Sequence, residues 1–325
     1  MNGTAAIIHG SPADPLERGE KVKKRPQFYK LKRETPLFIM LMPAVVLLFI
    51  YNYLPMYGVV MAFQKFSPAK GLFGQQKWIG LKNFQVMFSN IYATRALRNT
   101  VIIASAKIIT VMLVPIVFSI LLNEVRSTYF KRSIQTAIYL PYFLSWVILG
   151  GILQDILSVD GGLLNQLIKG LGMKPISFLG DNRYFRGTII ITNVWKEFGY
   201  ATVMYLAAIT SIDPFLYEAA TVDGANRWQR IIHVTLPGMS ITIVMLFVLN
   251  LGNILNAGFN QIFNMYSPAV YETGDILDTY IYRLGLLDYQ YGQATAVGLF
   301  KSLVSLVFIS SGYYIAYKKF DYRIF

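Results

Sequence analysis

Six long apolar runs, separated by polar segments, set the pattern of this chain: residues 36–62, 99–122, 134–157, 187–212, 238–262 and 294–317. Each reaches the length of about 20 residues needed to cross a bilayer core. A backbone in hydrocarbon must satisfy its own hydrogen bonds, so runs of this kind form helices. The pattern predicts an all-α polytopic membrane protein with about six transmembrane helices. The membrane domain occupies 36–325, behind a polar basic tail at 1–35. The first run is too long for the apolar core of a signal peptide and reads as a retained span.

Shorter patterns lie between the runs. Leu81, Phe84, Met87 and Phe88 recur at helical spacing, as do Leu163, Leu164, Leu167 and Ile168 after Gly161-Gly162. Both predict short amphipathic helices near the interface. Such a stripe serves either as a partner-docking surface or as packing against span ends.

Composition agrees with a membrane protein: 54% of the 325 residues are hydrophobic. The net charge is +13. On a soluble chain that excess would point to nucleic acid. Here the cations flank spans, so no nucleic-acid partner is expected and the lipid bilayer accounts for them. The densest groups are Arg18 to Arg33, then Arg126, Lys131 and Arg132, then Arg227 and Arg230, then Lys318, Lys319 and Arg323. All four fall on one side, which predicts both termini in the cytoplasm. The chain has no cysteine and only two histidines, His9 and His233, in different segments. Disulfides, thiolate metal sites and cysteine nucleophiles are excluded, and no metal site or catalytic residue is expected.

The segment between the fourth and fifth runs, residues 213–237, is too polar to cross a membrane. Asp213 can cap a helix with Pro214 at its first position. Glu218-Ala219-Ala220 follows, and then Thr221-Val222-Asp223-Gly224. Gly224 permits a turn or a close backbone approach. A second helical piece through Trp228, Ile231 and Ile232 leads to Val234-Thr235-Leu236-Pro237. A small, alanine-rich face of this kind can enter a groove on a partner.

The spacing from Glu218 to Pro237 resembles the EAA loop of binding-protein-dependent ABC importer permeases. That motif reads E-A-A, three residues, G, nine residues, I, one residue, L-P; Val234 stands where the isoleucine is usual. The segments Tyr51–Gly58 and Trp78–Phe84, with Leu140-Pro141 and Asn193–Lys196, are similar to the oligo- and polysaccharide permeases of the maltose-importer type. The likeness covers roughly residues 30–325.

The resemblance implies a MetI-like permease subunit, multi-pass in a bacterial cytoplasmic (inner) membrane. The implied partners are a second permease subunit, two ATP-binding subunits and an extracytoplasmic sugar-binding protein. It also implies that Glu218, Ala219, Ala220, Asp223, Gly224, Leu236 and Pro237 couple the chain to an ATPase subunit. The chain has no G-x-x-x-x-G-K-[ST] phosphate loop, so ATP and Mg are expected on the partner subunits and no cofactor on this one.

Polar residues inside the runs are the remaining candidates, because ionisable groups at membrane depth are costly. Lys107, Lys196, Glu197 and Lys301 are of this kind. Asn250, Asn253, Asn256 and Asn260 fall on one broad helical face of the fifth run. Their amides both donate and accept, which suits sugar hydroxyls, or they join helices to one another. Trp195 and Tyr200 offer flat faces to a sugar ring. Trp195, Lys196, Tyr200, the four asparagines and Lys301 therefore form the candidate path for an oligosaccharide. Three cations against one anion lean toward an acidic substrate such as a uronate oligosaccharide, of which alginate is an example.

Two other readings compete. An ion-coupled secondary transporter wants paired carboxylates at the midplane, and only Glu197 is there. A membrane-embedded sugar transferase wants a surface carboxylate cluster; Glu272, Asp275 and Asp278 form one, which also suits a solvated loop.

Overall fold

The computed structural model describes residues 27–320. Most of the basic tail, including Arg18 to Arg25, and Arg323 at the other end lie outside the described residues. The chain divides into two compact units, 1–57 and 58–325.

The first unit holds helix α1, Gln27–Leu48, followed by a π-helical turn, Phe49–Tyr53. Its apolar side chains from Leu37 to Tyr57 are exposed, as they are on a helix that faces lipid or a partner.

The second unit opens with a two-stranded antiparallel ribbon, β1 (Gln64–Lys65) and β2 (Lys77–Trp78), with Gln64 opposite Trp78. Helix α2, Lys82–Ser89, then meets α3, Ile91–Asn123. The amphipathic stripe of α2 serves packing: Met87 is buried and Phe88 meets Phe300 edge-on, with centroids 5.2 Å apart. Helices α4 (Thr128–Phe143) and α5 (Trp146–Leu157) follow. Then come α6 (Leu163–Gly170) and α7 (Asn182–Thr210). On α6, Leu164 and Ile168 face the core while Leu163 and Leu167 stay exposed.

The loop region holds α8 (Pro214–Val222) and α9 (Arg227–Arg230), and a π-helical turn leads into α10 (Leu236–Leu251). Beyond it lie α11 (Phe259–Met265), α12 (Tyr271–Gly274), α13 (Leu277–Tyr282) and the long α14 (Tyr291–Phe320).

Helices α3 and α7 run side by side in the same direction. Ile103 and Ile189 share one core cluster near their starts, and Ile116, Tyr205 and Ile209 share another near their ends. Helix α4 crosses α7 closely at Gly199, where any Cβ would collide with the Ile138 carbonyl.

Two of the six expected spans are broken. Residues 134–157 form not one helix but two, α4 and α5, bent by 104°. Leu144 is extended, and the Ser145 hydroxyl then accepts from the Ile148 amide to start α5 afresh. Pro141 in the last turn of α4 has no amide to give, which helps end that helix. The expected span 238–262 stops at Leu251. Gly258 has a left-handed backbone, φ 91°, and residues 252–258 are irregular before α11 begins. Asn250, Asn253, Asn256 and Asn260 therefore do not share one helical face. An apolar run shows that a segment is buried or in lipid, but a local break leaves the average untouched.

Among the described residues, four helices are long and apolar enough to cross a membrane: Thr35–Phe63, Ile91–Asn123, Arg227–Leu251 and Tyr291–Ile315. The bent α4/α5 pair is a fifth if counted as one span. Helix α7 has 29 residues, about 43 Å at 1.5 Å per residue, yet its polar residues keep it out of that count. Lys196, Thr192 and Thr202 on α7 are buried inside the protein.

Candidate functional site

The loop after α7 is a rigid pair of short helices. Asp213 caps α8, its carboxylate accepting from the Phe215 amide at 2.9 Å, with Pro214 as the first helical residue. The end of α8 is a Schellman turn. Gly224 N donates to Thr221 O at 3.1 Å and Ala225 N to Ala220 O at 2.9 Å. Gly224 adopts φ 76°, which explains why glycine stands there. Among the described residues, no atom lies within 4 Å of the position of an added Cβ, so its open side faces outward.

Asn226 and Gln229 then form a reciprocal capping box on α9. The Tyr217 hydroxyl meets the Thr235 hydroxyl at 3.0 Å, and Arg230 donates to Thr221 Oγ1 at 3.1 Å. Tyr217, Val234 and Leu236 pack on the cluster of Ile116, Tyr205, Ile209, Ile212 and Met239 at the ends of α3 and α7. The loop is thus fastened to the long helices.

What it presents outward is unusual for a loop. Val222 is 88% exposed, and Phe215, Leu216, Trp228 and Ile232 are also exposed. Glu218 is exposed and has no hydrogen bond or ion pair among the described residues. A fixed shape with an uncovered apolar face and a free carboxylate is suited to a protein partner.

The second part of the site lies at the two helix breaks. A cavity of about 340 Å³ is lined by Lys107, Trp146, Asn193, Glu197, Asn250, Asn253 and Asn256, among others. A neighbouring cavity of about 530 Å³ shares Trp146 and Glu197 and adds Tyr142, Lys196 and Asn260. Asn250 at the end of α10 and Asn253 and Asn256 on the irregular segment thus line the first cavity, and Asn260 on α11 lines the second. The side-chain amides of Asn193, Asn253 and Asn260 make no hydrogen bond among the described residues, which leaves them available to hydroxyl groups.

The buried lysines hold the breaks together. Ending a helix at membrane depth frees carbonyls that must find donors within the protein. Lys196 Nζ donates to Tyr142 O at 2.7 Å and lies 5.2 Å from the centre of the Tyr142 ring and 5.7 Å from that of Trp146. Lys107 Nζ donates to Ala257 O at 2.6 Å and also to Gln261 Oε1. Gln261 passes the link on to α7 through Ile189 O at 2.8 Å and Thr192 Oγ1 at 2.9 Å. Each ammonium thus caps one break.

Other expected path residues stand elsewhere. Trp195 is exposed and lines neither cavity; Trp146 at the start of α5 takes the place of the aromatic wall. Tyr200 stacks on Tyr142 at 4.7 Å, so one of its faces is covered. Lys301 pairs with Asp278, away from both cavities. Asp275 is buried against Arg283 at 2.5 Å. Burial works against the Arg283 charge, and the Asp275 carboxylate more than offsets it, holding the guanidinium above its ordinary range. Two of the three carboxylates expected as a surface cluster are therefore structural. Trp146 and Asn193 were not distinguishable as path residues in sequence, because the 104° bend that exposes Trp146 has no periodic signature.

Long apolar helices, an exposed helical loop and a polar cavity between broken helices are the features of a membrane transport subunit. Residues 112–321 match the family of binding-protein-dependent transport system inner membrane components, and the chain belongs to that family. It is 43% identical to Protein LplB of Bacillus subtilis (strain 168) over 90% of this chain and 91% of that one. It is 39% identical to the polygalacturonan/rhamnogalacturonan transport system permease protein YteP of the same organism, over 89% and 90%. Among solved structures, a chain of a bacterial ABC transporter involved in the import of the acidic polysaccharide alginate superposes with a TM-score of 0.84. That likeness is at 38% identity and covers 91% of this chain and 99% of the other. The protein is accordingly an all-α, MetI-like permease with a transport role and no catalytic one.

Proposed function

We propose that this chain is one of two permease subunits of an ATP-driven importer of acidic oligosaccharides. The carrying observation is the docking loop: a fixed double helix with its apolar face uncovered and Gly224 open to a partner. Of the two ATP-binding subunits, which hold ATP and Mg, one engages Glu218, Ala219, Ala220, Asp223 and Gly224. Leu236 and Pro237 at the head of α10 pass their movement to the spans. With the loop in the cytoplasm, both termini are cytoplasmic. An extracytoplasmic binding protein delivers substrate at the opposite end.

The asparagines at 193, 250, 253, 256 and 260 supply hydrogen bonds to sugar hydroxyls, and Trp146 supplies a flat apolar face. Lys196 and Lys107 contribute by holding the breaks in shape. Their ammonium groups are already committed to carbonyls, so the acidic character of the substrate is drawn from the relatives: alginate and polygalacturonan are both polyuronates.

The test is ATP hydrolysis by the reconstituted four-subunit assembly with its binding protein. Acidic oligosaccharide on the binding protein should stimulate hydrolysis several-fold over unloaded binding protein. Product formation from a sugar donor without ATP would contradict the reading.

A further inference from the structure

A cluster of arginines lies far from the loop after α7 and has no part in the site above. A cavity of about 430 Å³ opens where α3 and α7 begin, lined by Arg95, Arg98, Asn99, Arg186 and Glu272, among others. From Arg186 to the end of α7 at Thr210 is about 36 Å along the helix. The cavity is therefore at the end opposite the loop.

One of its arginines is fixed in place. Arg186 donates through Nη2 to Asn99 Oδ1 at 2.6 Å and through Nε to Thr273 O at 3.0 Å. Asn99 is buried and donates in turn to Glu272 O at 3.1 Å and Asp275 O at 2.9 Å. The other two arginines are not fixed: Arg95 and Arg98 have neither a hydrogen bond nor an ion pair among the described residues. They stand three apart on α3, one above the other, and Arg98 repels the Arg186 guanidinium. Three guanidiniums face a single carboxylate, Glu272. Arg98 is exposed and Arg95 half-buried, so an entering anion can reach both guanidiniums.

We propose that this cavity is an outer subsite that takes the carboxylates of a uronate oligosaccharide before its rings reach the asparagine-lined cavity. The inference rests on the saccharide-import reading. Arginine suits the role because its planar fork matches a carboxylate with two parallel hydrogen bonds. The volume falls within the range of about 300–1,000 Å³ typical of small-molecule sites, far more than a lone carboxylate fills. Asn193 lies seven residues after Arg186 on α7, about 10 Å along the axis, with the buried Ile189 between them.

The test compares uptake of galacturonate and mannuronate oligomers with that of their carboxyl-reduced, neutral counterparts. The whole importer is used, in phosphatidylcholine vesicles with its binding protein. Replacing Arg95→Gln and Arg98→Gln together should raise the KM for acidic oligomers about tenfold and leave that for neutral ones within twofold. Arg183→Gln, one turn from Arg186 and outside the cavity, should alter neither. Equal effects on acidic and neutral oligomers, or no effect, would overturn the subsite. So would loss of the effect in phosphatidylcholine when it is present in phosphatidylglycerol, which would mark a lipid headgroup. A double variant that weakens docking of the substrate-free binding protein as much as uptake would assign the cavity to an acidic side chain of that protein. Wild-type uptake of neutral oligomers alone would also sink the subsite and leave the importer standing. Uptake of neither would instead contradict the import reading itself.

Discussion

The docking loop and the midspan cavity are built by opposite strategies. The loop takes all its parts from 25 consecutive residues, Asp213 to Pro237, and its caps and turn are made by near neighbours in sequence. The cavity draws on α3, α5, α7, the end of α10 and the irregular segment after it. Its geometry depends on bonds such as Lys107 to Ala257, 150 residues apart. On the proposed reading, a motor contact must keep one shape while it is pushed, whereas a sugar path needs polar groups in a membrane, and broken helices expose these.

The difference can be probed by substitutions, the most damaging first. Gly224→Val should abolish transport while leaving membrane insertion intact. A β-branched residue at φ 76° costs at least about 1–2 kcal/mol, and its side chain occupies the face offered to the partner. Uptake by reconstituted vesicles and the amount of chain in the membrane fraction measure the two arms; normal uptake would deny the close-fitting turn.

Lys196→Met should leave the Tyr142 carbonyl without its charged donor and destabilise the break by about 1.5–3 kcal/mol. A lower melting temperature in detergent is expected, with uptake of acidic and neutral sugars reduced alike. A loss confined to acidic sugars would instead put the ammonium in contact with substrate.

Asn253→Leu removes one hydrogen-bonding amide from the cavity and nothing from the fold. At about 0.5–1.5 kcal/mol for the lost bond, the KM for transport should rise between twofold and about tenfold. An unchanged KM would remove Asn253 from the path. The smallest effect is expected at Lys301 and Asp278. A double-mutant cycle on thermal stability should give a coupling of about 1 kcal/mol with no change in substrate preference. An altered preference would return Lys301 to the path.

Legibility in the sequence follows the same division. The cap at Asp213, the turn at Gly224 and the second helical piece were readable because each is a local rule on adjacent residues. So were the long helices, whose apolar runs exceed what any turn can mask. The breaks at Leu144 and after Leu251 were not. Pro115 lies inside the unbroken α3, so a proline such as Pro141 does not by itself announce a break, and tertiary donors such as Lys196 and Lys107 satisfy carbonyls that the breaks free. The four asparagines were singled out as one helical face, but the helix stops at Leu251 and they line two adjoining cavities. The charge reasoning singled out ammonium groups that bond to carbonyls and Asp278, and passed over Arg95 and Arg98, which have no hydrogen bond or ion pair among the described residues.

The central claim is that the loop transmits the work of an ATPase. The absence of cysteine from this chain makes a direct measurement simple, because Val222→Cys introduces a single thiol at the tip of α8. Short bifunctional cross-linking in the purified, transporting complex should join that thiol to a cysteine in the groove of the ATP-binding subunit. The join should form both without nucleotide and with trapped ATP, and it should stop uptake when it tethers the loop. A complex that hydrolyses ATP and transports while this thiol reacts only with solvent reagents would contradict the account.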